Sequence, residues 1–268
     1  MKLSPIAPGS VPDLADAEAR VSGSGPTEDA MRKHLAKLGA RMDELQNALY
    51  AESRHAVLVV LQARDGAGKD STIRRVFGRL NPMGCTVTSF KAPTPVELGH
   101  DFLWRVHHAV PARGTIGIFN RSHYEDVLVV RVHRLVTEEI WRPRYEQINQ
   151  FERMLTLNGV SILKFFLHIS KEEQLERLRE RLEDPAKYWK FNPGDLGERE
   201  KWDEYTRAYQ DMLSLTSTPD APWFVVPADK KLPRDVLVAQ VVVEALERLD
   251  PRFPAPPAGL EEFRRRLA

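Results

Sequence analysis

The hydrophobic pattern of the chain contains several short apolar segments in which apolar and polar residues do not alternate. The clearest is 56–61, a run of Val and Leu that is typical of a strand buried on both faces of a parallel sheet. Similar segments predict four more strands, at 86–90, 115–119, 162–168 and 223–226. We therefore expect a sheet whose strands are covered on both sides.

Between these segments the apolar residues recur at helical spacing. The first helix is predicted at 28–52, where Met31, Leu35 and Leu38 begin the series. Further helices are predicted at 72–80, through Trp104 to His108, and at 138–157, 171–182, 198–215 and 236–249. Strands that alternate with helices predict parallel βαβ units with right-handed crossovers. The expected fold class is therefore α/β, a three-layer αβα sandwich with a central parallel sheet.

The domain organisation follows from the absence of a linker near the middle of the sequence. We expect one domain at 28–250, preceded by a flexible arm at 1–27 that is rich in Pro, Gly, Ser, Asp and Ala. A proline-rich tail follows at 251–268. Irregular polar residues at 183–197, with Pro185, Pro193 and Gly194, interrupt the helical pattern inside the domain.

Composition limits the possible partners and the compartment. The 268 residues carry a net charge of +1, which argues against a field that gathers nucleic acid. Cys85 is the only cysteine, so neither an intrachain disulfide nor a cysteine-rich metal site can form. The sequence has no apolar run of bilayer length and no signal-peptide core in residues 1–27. We therefore expect a cytoplasmic protein that binds neither nucleic acid nor membrane.

The strongest motif follows the first strand, where residues 63–70 have the sequence ARDGAGKD. A buried strand that leads into a glycine-rich turn and a helix is the required context for a P-loop, G-x-x-x-x-G-K-[ST]. Its amide N–H groups would turn around phosphate oxygens at the positive end of the following helix. Lys69 would reach the phosphoryl group being transferred, and the alternative is a tight turn with a lysine facing solvent. The candidate phosphate-binding residues of this loop are Gly66, Ala67, Gly68, Lys69, Asp70 and Ser71.

Three residues of the loop depart from the usual pattern. Ala63 replaces the first glycine, which suggests that this position needs no positive φ. Asp70 replaces the hydroxyl residue that normally binds magnesium, and an acid is favourable in a first helical turn in any case. Asp65 would repel phosphate unless it holds Mg²⁺, directly or through water; the alternative is a loop-capping aspartate.

A second polar segment, NRSHYED at 120–126, follows the third strand. Parallel sheets place their sites at the carboxyl ends of strands, so this segment should face the P-loop. Arg121 would bind phosphate in bidentate fashion. Glu125 and Asp126 would supply a second magnesium carboxylate and align the attacking oxygen, and the alternative is a helix-capping acid pair.

Taken together, these segments resemble the polyphosphate kinase 2 family. The resemblance rests on RDGAGKDSTI, the turn Asn81–Gly84, FKAPT at 90–94 and FNRSHYEDVLVVRVH, and it extends over ILKFFLHIS, YWKF and APWFVV. It covers roughly residues 30–250. It implies a P-loop kinase-like sandwich with a helical lid and magnesium-dependent phosphoryl transfer between inorganic polyphosphate and a nucleotide, with Mn²⁺ as the alternative metal.

The form of the second segment points to a subgroup. Asn120 followed by HYED resembles class III, which phosphorylates both AMP and ADP, whereas members commonly carry Asp at this position. The resemblance therefore favours Asp65 and Asp126 as metal ligands, with Glu125 next. It also implies a homo-oligomer, a dimer or tetramer, that uses adenine nucleotides, with guanine nucleotides as an alternative.

The lid is expected at about 177–197, where a basic helix leads into the Pro/Gly-broken segment. In P-loop kinases such a segment closes over the transferring phosphate and excludes water. Arg177 and Arg181 share one helix face, although a solvated charge is the alternative for each. Polyphosphate needs a row of cations, and the candidates are Lys69, Arg121, Lys164, Arg177, Arg181 and Lys230.

The nucleotide is expected beside the second strand. The candidate nucleotide-binding residues are Lys91, Thr94, Glu97 and Asn120, whereas Trp104 is interpreted as a core residue. The candidate catalytic residues are Asp65, Lys69, Arg121, Glu125, Asp126, Arg177 and Arg181.

Two other functions stay open at this point. One is an ATP-dependent nucleoside monophosphate kinase on the same fold. The other is a catalytically silent nucleotide-binding protein, whose expected signature is the loss of Lys69 or of the acids; the sequence retains both.

Overall fold

The computed structural model of the protein describes residues 2–21, 23 and 25–268. Its centre is a five-stranded sheet in the order β2-β3-β1-β4-β5, in which every neighbouring pair is parallel. The strands are β1 (Ala56–Ala63), β2 (Cys85–Ser89), β3 (Ile116–Asn120), β4 (Val160–His168) and β5 (Trp223–Pro227). All five predicted strands are confirmed, with bounds shifted by one or two residues.

Helices connect the strands and flank the sheet. They are α1 (Glu28–Glu52), α2 (Lys69–Thr72), α3 (Pro95–Leu98), α4 (Trp104–Ala109), α5 (Val129–Val132), α6 (Glu138–Trp141), α7 (Arg144–Leu157), α8 (Lys171–Glu183), α9 (Gly194–Glu200), α10 (Trp202–Thr216), α11 (Lys231–Leu249) and α12 (Leu260–Leu267). A π-helical turn, Ile73–Phe77, continues α2, and 3₁₀ turns cover Asp16–Ala19, Pro82–Gly84, His123–Asp126 and Pro185–Lys190. Within the described residues, every helix falls short of the length and apolarity that crossing a membrane requires.

Two hydrophobic cores lie on opposite faces of the sheet because side chains alternate along each strand. On β1, Val57, Val59 and Leu61 belong to the core that includes α1 and α11. Leu58 and Val60 belong to the other core, with α7 and α10. The predicted three-layer αβα sandwich is confirmed.

The site follows from the strand order. The chain goes from β1 to β2 and β3 on one side of the sheet and then to β4 and β5 on the other. A crevice therefore forms above the carboxyl end of β1, where the two sides part.

Several helix boundaries differ from the sequence prediction. The helix expected at 138–157 is divided into α6 and α7 at Pro143, which cannot donate a backbone hydrogen bond. The irregular stretch 183–197 contains a 3₁₀ turn and the start of α9, and the tail 251–268 contains α12. α11 begins at Lys231, five residues before its predicted start, because Pro233 is tolerated in a first helical turn.

The described residues of the N-terminal arm lie against the domain. The Ile6 N–H donates to the Trp223 carbonyl of β5 at 2.9 Å, and the Ile6 carbonyl accepts from the Ser217 hydroxyl at 2.7 Å. Leu14 and Ala19 are buried. Composition did not predict these contacts, and the flexibility of the arm stays a prediction.

Candidate active site

The phosphate loop follows β1 and turns tightly at two glycines. Gly66 and Gly68 have φ values of +86° and +98°, which L side chains rarely adopt. Ala63, by contrast, is the last residue of β1 and has no positive φ, as expected from the missing glycine. Lys69 opens α2 directly after Gly68, and its Nζ donates to the Ala63 carbonyl at 3.1 Å across the loop. The loop thus has the strand–turn–helix geometry that a P-loop requires.

Two buried arginines hold this loop from behind. Arg177 of α8 uses all five N–H donors: Nη1 binds the Gly66 and Ala67 carbonyls, Nη2 the Ala228 and Asp229 carbonyls, and Nε the Glu173 carboxylate. The distances lie between 2.8 and 3.1 Å. No donor is left for a phosphate, so the predicted contact of Arg177 with the transferring group is wrong. The residue positions the loop instead.

Arg234 of α11 is the second brace, and it was not predicted. Its Nη1 donates to the Ala67 carbonyl at 2.9 Å and its Nη2 to Ser71 Oγ at 3.0 Å. Ser71 Oγ in turn donates to the Gly68 carbonyl at 2.8 Å, so Ser71 supports the loop. Arg234 lies far from the motif in sequence and carries no local signal, which is why the sequence did not indicate it.

The charged groups of the site converge in front of the loop. Arg121 Nη2 donates to Asp65 Oδ1 at 2.6 Å, and Lys69 Nζ lies 4.0 Å from the same oxygen. Arg121 reaches this position with a φ of +61°, a strained value for a residue other than glycine. Asp65, Lys69 and Arg121 are therefore brought together as predicted from two separate segments.

The charges of these groups shift one another's pKa. Burial by itself would raise the pKa of Asp65, but Lys69 and Arg121 together outweigh it and lower that pKa below its ordinary value. Burial and the positive charge of Arg121 lower the pKa of Lys69. Burial raises the pKa of Glu125, against the opposing effect of Arg121 and Lys69. The cluster thus mixes two cations and two carboxylates at short range.

Glu125 and Asp126 are adjacent in sequence but point to different places. Glu125 lines the same cavity as Asp65 and Arg121, and Gln62 Nε2 donates to Glu125 Oε1 at 3.0 Å when the Gln62 amide oxygen faces Ser122. Asp126 Oδ1 instead accepts from Arg144 Nη1 at 3.0 Å and does not line that cavity. The structure therefore places Glu125, and not Asp126, on the cavity with Asp65, whereas metal binding by Asp65, Asp126 and Glu125 stays a prediction.

The cavity in front of the loop has a volume of about 220 Å³. Asp65, Arg121 and Glu125 line it together with Asp195 and Glu198 of α9, which come from the predicted lid segment. Three aromatic residues, Trp202, Tyr205 and Tyr209, also line the cavity, and none of them was predicted.

Arg181 of α8 forms an ion pair with the predicted lid segment. Its Nη1 donates to Asp195 Oδ2 at 2.9 Å, and its positive charge contributes to lowering the pKa of Asp65. Arg181 therefore binds a residue that lines the cavity, in contrast to Arg177 one helical turn before it. Closure of the lid stays a prediction.

Asn120 and Asp70 form a link between β3 and α2. Asn120 Nδ2 donates to Asp70 Oδ1 at 2.8 Å. An aspartate at position 120 would face another carboxylate at this distance, which gives a physical reason for the amide. The structure thus assigns both residues a mutual contact, whereas phosphate binding by Asp70 and nucleotide binding by Asn120 stay predictions.

The predicted nucleotide residues lie beyond β2. Thr94 and Glu97 cap α3 reciprocally, with Thr94 N donating to Glu97 Oε2 at 2.6 Å. Lys91 is exposed, and its carbonyl accepts from Arg105 Nη1 at 2.9 Å. Their role in binding a nucleotide stays a prediction.

Three further residues have surroundings that the sequence did not indicate. Trp104 is half-exposed and stacks on His100 with ring centroids 4.2 Å apart, so its interpretation as a core residue is wrong. Lys164 is fully buried, and its Nζ lies 2.6 Å from Glu152 Oε2, so it cannot join a row of cations on the surface. Lys230 is exposed in a groove between α1 and the start of α11, apart from the cavity.

Comparison with known proteins identifies the family of the chain. The family model described as polyphosphate kinase 2 matches residues 26–254. The chain belongs to the polyphosphate kinase 2 family. The motifs quoted for the resemblance all fall within the matched range, so the family suggested by the sequence is confirmed.

Relatives within the polyphosphate kinase 2 family support the assignment along most of the chain. The AMP/ADP-polyphosphate phosphotransferase of Meiothermus ruber is 54% identical over 236 residues, 88% of each chain. The ADP-polyphosphate phosphotransferase of Rhodopseudomonas palustris is 43% identical over 261 residues, 93% of this chain and 90% of the relative. The crystal structure of polyphosphate kinase 2 from Arthrobacter aurescens TC1 aligns with a TM-score of 0.86 at 39% identity, over 98% of this chain and 99% of that one.

Proposed function

We propose that the protein transfers the terminal phosphoryl group of inorganic polyphosphate to AMP and to ADP, forming ADP and ATP. The observation that carries the proposal is the convergence of Lys69, Arg121, Asp65 and Glu125 in front of a braced phosphate loop. Membership of the family supports polyphosphate as the donor. The 54% identical relative, which is named for both AMP and ADP, supports the two acceptors.

The chemistry requires no covalent intermediate with the protein. A terminal phosphate oxygen of the nucleotide attacks the terminal phosphorus of polyphosphate, and the anhydride bond to the rest of the chain breaks. The polyphosphate leaves one phosphate shorter, carrying the negative charge of the broken bond. Lys69 and Arg121 stabilise the charge on the transferring group. A phosphate oxygen is already ionised at neutral pH, so no strong base is needed.

Magnesium, with Mn²⁺ as the alternative, would be held by Asp65 and Glu125. Among the described residues there is no cluster of three or more His, Cys, Asp or Glu side chains that could hold a metal alone. Two carboxylates fit the ion nevertheless, because Mg²⁺ in such sites takes one or two carboxylates and completes its shell with water and substrate phosphates. When bound, the ion would supply positive charge to the phosphate oxygens.

The donor can be tested directly with purified protein. We expect ADP and ATP to form from AMP when polyphosphate is the sole phosphate donor, and Lys69→Ala to abolish their formation. Turnover of AMP with ATP alone, and none with polyphosphate, would overturn the proposal and favour a nucleoside monophosphate kinase.

A basic groove near the site supports a path for long polyphosphate chains. The groove has a volume of about 860 Å³ and lies between the first half of α1, the π-helical turn and the start of α11. Its five cations, Arg32, Arg75, Arg79, Lys230 and Lys231, outnumber the three acids that also line it, Glu28, Asp229 and Asp235. Asp229, which lines it, also contributes the carbonyl that Arg177 binds beside the loop, so the groove adjoins the phosphate site.

Polyphosphate donors of different length distinguish a role of the groove from a role in the reaction site. We expect the Lys230→Ala, Lys231→Ala double variant to raise the KM for long polyphosphate several-fold and to leave the KM for tripolyphosphate unchanged. Equal effects on both donors would assign the lysines to the reaction site or to stability.

The proposal also includes four properties that the family resemblance and the composition suggest. They are a cytoplasmic location, a dimer or tetramer, the guanine nucleotides as alternative substrates, and the lack of nucleic-acid or membrane partners. Sedimentation equilibrium would determine the oligomeric state.

A further inference from the structure

A buried polar cluster lies under the loop that carries Arg121 and Glu125. Its members are His123 and Tyr124 of that loop, Glu152 of α7, Lys164 of β4 and the carbonyl of Thr216 at the end of α10. All five residues have exposed fractions of 0% or 1%. None of them lines the cavity or the groove described above.

In this cluster Lys164 and Tyr124 donate hydrogen bonds and the Glu152 carboxylate accepts them. Lys164 Nζ donates to Glu152 Oε2 at 2.6 Å, to the Thr216 carbonyl at 2.7 Å and to the Tyr124 hydroxyl at 2.9 Å. The Tyr124 hydroxyl then donates to Glu152 Oε1 at 2.6 Å. Because a carboxylate only accepts, His123 Nε2, at 3.3 Å from Glu152 Oε1, carries the proton. The loop is thus tied twice to one buried carboxylate.

Stability alone is a weak reason for such a cluster. Replacing a buried ion pair with apolar residues of similar volume is often neutral or stabilising, because desolvation offsets the attraction. The loop above it has a specific requirement, however. Arg121 adopts a φ of +61°, and such a conformation persists only where the surroundings hold it.

The two tied residues lie between the two functional ones. Arg121 precedes His123 by two positions, and Glu125 follows Tyr124 directly. Any shift of His123 and Tyr124 therefore moves Arg121 or Glu125, which must meet Asp65 and the transferring phosphate.

We propose that the buried Glu152–Lys164 pair is a positioning device for phosphoryl transfer, which holds His123 and Tyr124 so that Arg121 and Glu125 face the cavity. This inference rests on the proposed function. None of the four residues touches the reacting atoms, so they are positioning residues and not catalytic ones.

The test replaces Tyr124 with Phe, which removes both bonds of the hydroxyl and leaves the ion pair in place. We expect kcat with polyphosphate and AMP to fall by about 10- to 100-fold, because a displacement of about 1 Å has an effect of that size. The KM for AMP should change less than twofold. A merely structural role would lower Tm and leave kcat unchanged at a temperature well below Tm.

Thr216→Val is the matched control. The Thr216 hydroxyl accepts from Trp223 Nε1 at 2.9 Å and donates to the Met212 carbonyl at 2.6 Å. The Thr216 carbonyl remains for Lys164, so the substitution leaves both bonds to Glu152 from the loop in place. We expect a lower Tm with an unchanged kcat. If Tyr124→Phe does not fold, His123→Phe gives the same test, because His123 Nδ1 has no partner among the described residues to lose.

The possible outcomes separate the two proposals. A wild-type protein without polyphosphate activity would refute the proposed function. A wild-type protein with that activity, together with a Tyr124→Phe or His123→Phe variant that keeps the full kcat, would overturn the positioning role alone. A kcat loss in the loop variants and in Thr216→Val alike would overturn it as well.

Discussion

At the scale of single residues, Gly68 has no room for a side chain. It caps the N-terminus of α2 with a φ of +98°, and a Cβ at this position would overlap the guanidinium of Arg234. We expect Gly68→Ala to destabilise the fold by about 1–3 kcal/mol and to reduce kcat/KM by at least about tenfold. Thermal unfolding and steady-state kinetics measure the two effects.

Gly197 provides the matched control for this substitution. It lies in α9, has no positive φ, and a Cβ there would meet no atom within 4 Å. Gly197→Ala should raise stability by up to about 1 kcal/mol through helix propensity. Equal stability changes in both variants would contradict the proposed overlap.

A second prediction at this scale concerns the contact between Asn120 and Asp70. Asn120→Asp would place two carboxylates at the present distance of 2.8 Å, so one of them must be protonated or move away. We expect a loss of about 1–2 kcal/mol at pH 7, since one pKa unit corresponds to about 1.4 kcal/mol. The Asp70→Asn, Asn120→Asp double variant should recover most of that loss, and urea unfolding of the wild type, of each single variant and of the double variant measures the coupling. Additive effects would exclude the contact.

At the scale of elements, α8 links the phosphate loop to the loop after β5. Arg177→Gln would leave at least two buried carbonyls without a donor, each a loss of about 1–3 kcal/mol. We expect a stability loss of about 3 kcal/mol or more, with a parallel loss of phosphoryl transfer. Arg179→Gln is the control on the same helix, because Arg179 is exposed and, among the described residues, pairs only with Glu176. Its effect should stay within about 0.5 kcal/mol; a comparable loss in both would contradict the brace.

The parts of the site that the sequence could predict are those with a local signal. The strands and the phosphate loop were predictable because their signals are local: uniform apolar runs and glycines next to a lysine. Arg177 and Arg181 share one helix face, so only the docking of α8 on the loop decides which one is buried behind it. Which of Glu125 and Asp126 faces the cavity depends on the backbone conformation after Arg121. Nothing in the sequence predicted the positive φ of Arg121.

At the scale of the whole molecule, His168 connects the arm to the end of β4. Its Nε2–H donates to the Ala15 carbonyl at 2.9 Å, and burial, reinforced by the charge of Arg64, lowers its pKa. The folded-state pKa therefore lies below the unfolded value of about 6.5. This contribution to stability is complete above about pH 6.5 and is lost as the pH falls through that value toward the folded-state pKa.

The measurement is the pH dependence of unfolding and of proteolysis. We expect Tm to be lower at pH 5 than at pH 8, and cleavage within residues 2–20 to become faster at the lower pH. His168→Gln should flatten the difference over this interval, because the variant has no group that titrates there. An arm that is cleaved equally fast at both pH values would contradict the role of His168.

The two arginine braces have a consequence for how the protein matures. Arg177 lies 111 residues after Gly66, and Arg234 lies 167 residues after Ala67, so the loop depends on partners far along the chain. Contacts of such sequence separation form slowly, and a nascent chain emerges from its N-terminus first. The phosphate loop therefore leaves the ribosome early but gains its first brace only with α8 and its second only with the start of α11, so the phosphate site is completed late in synthesis.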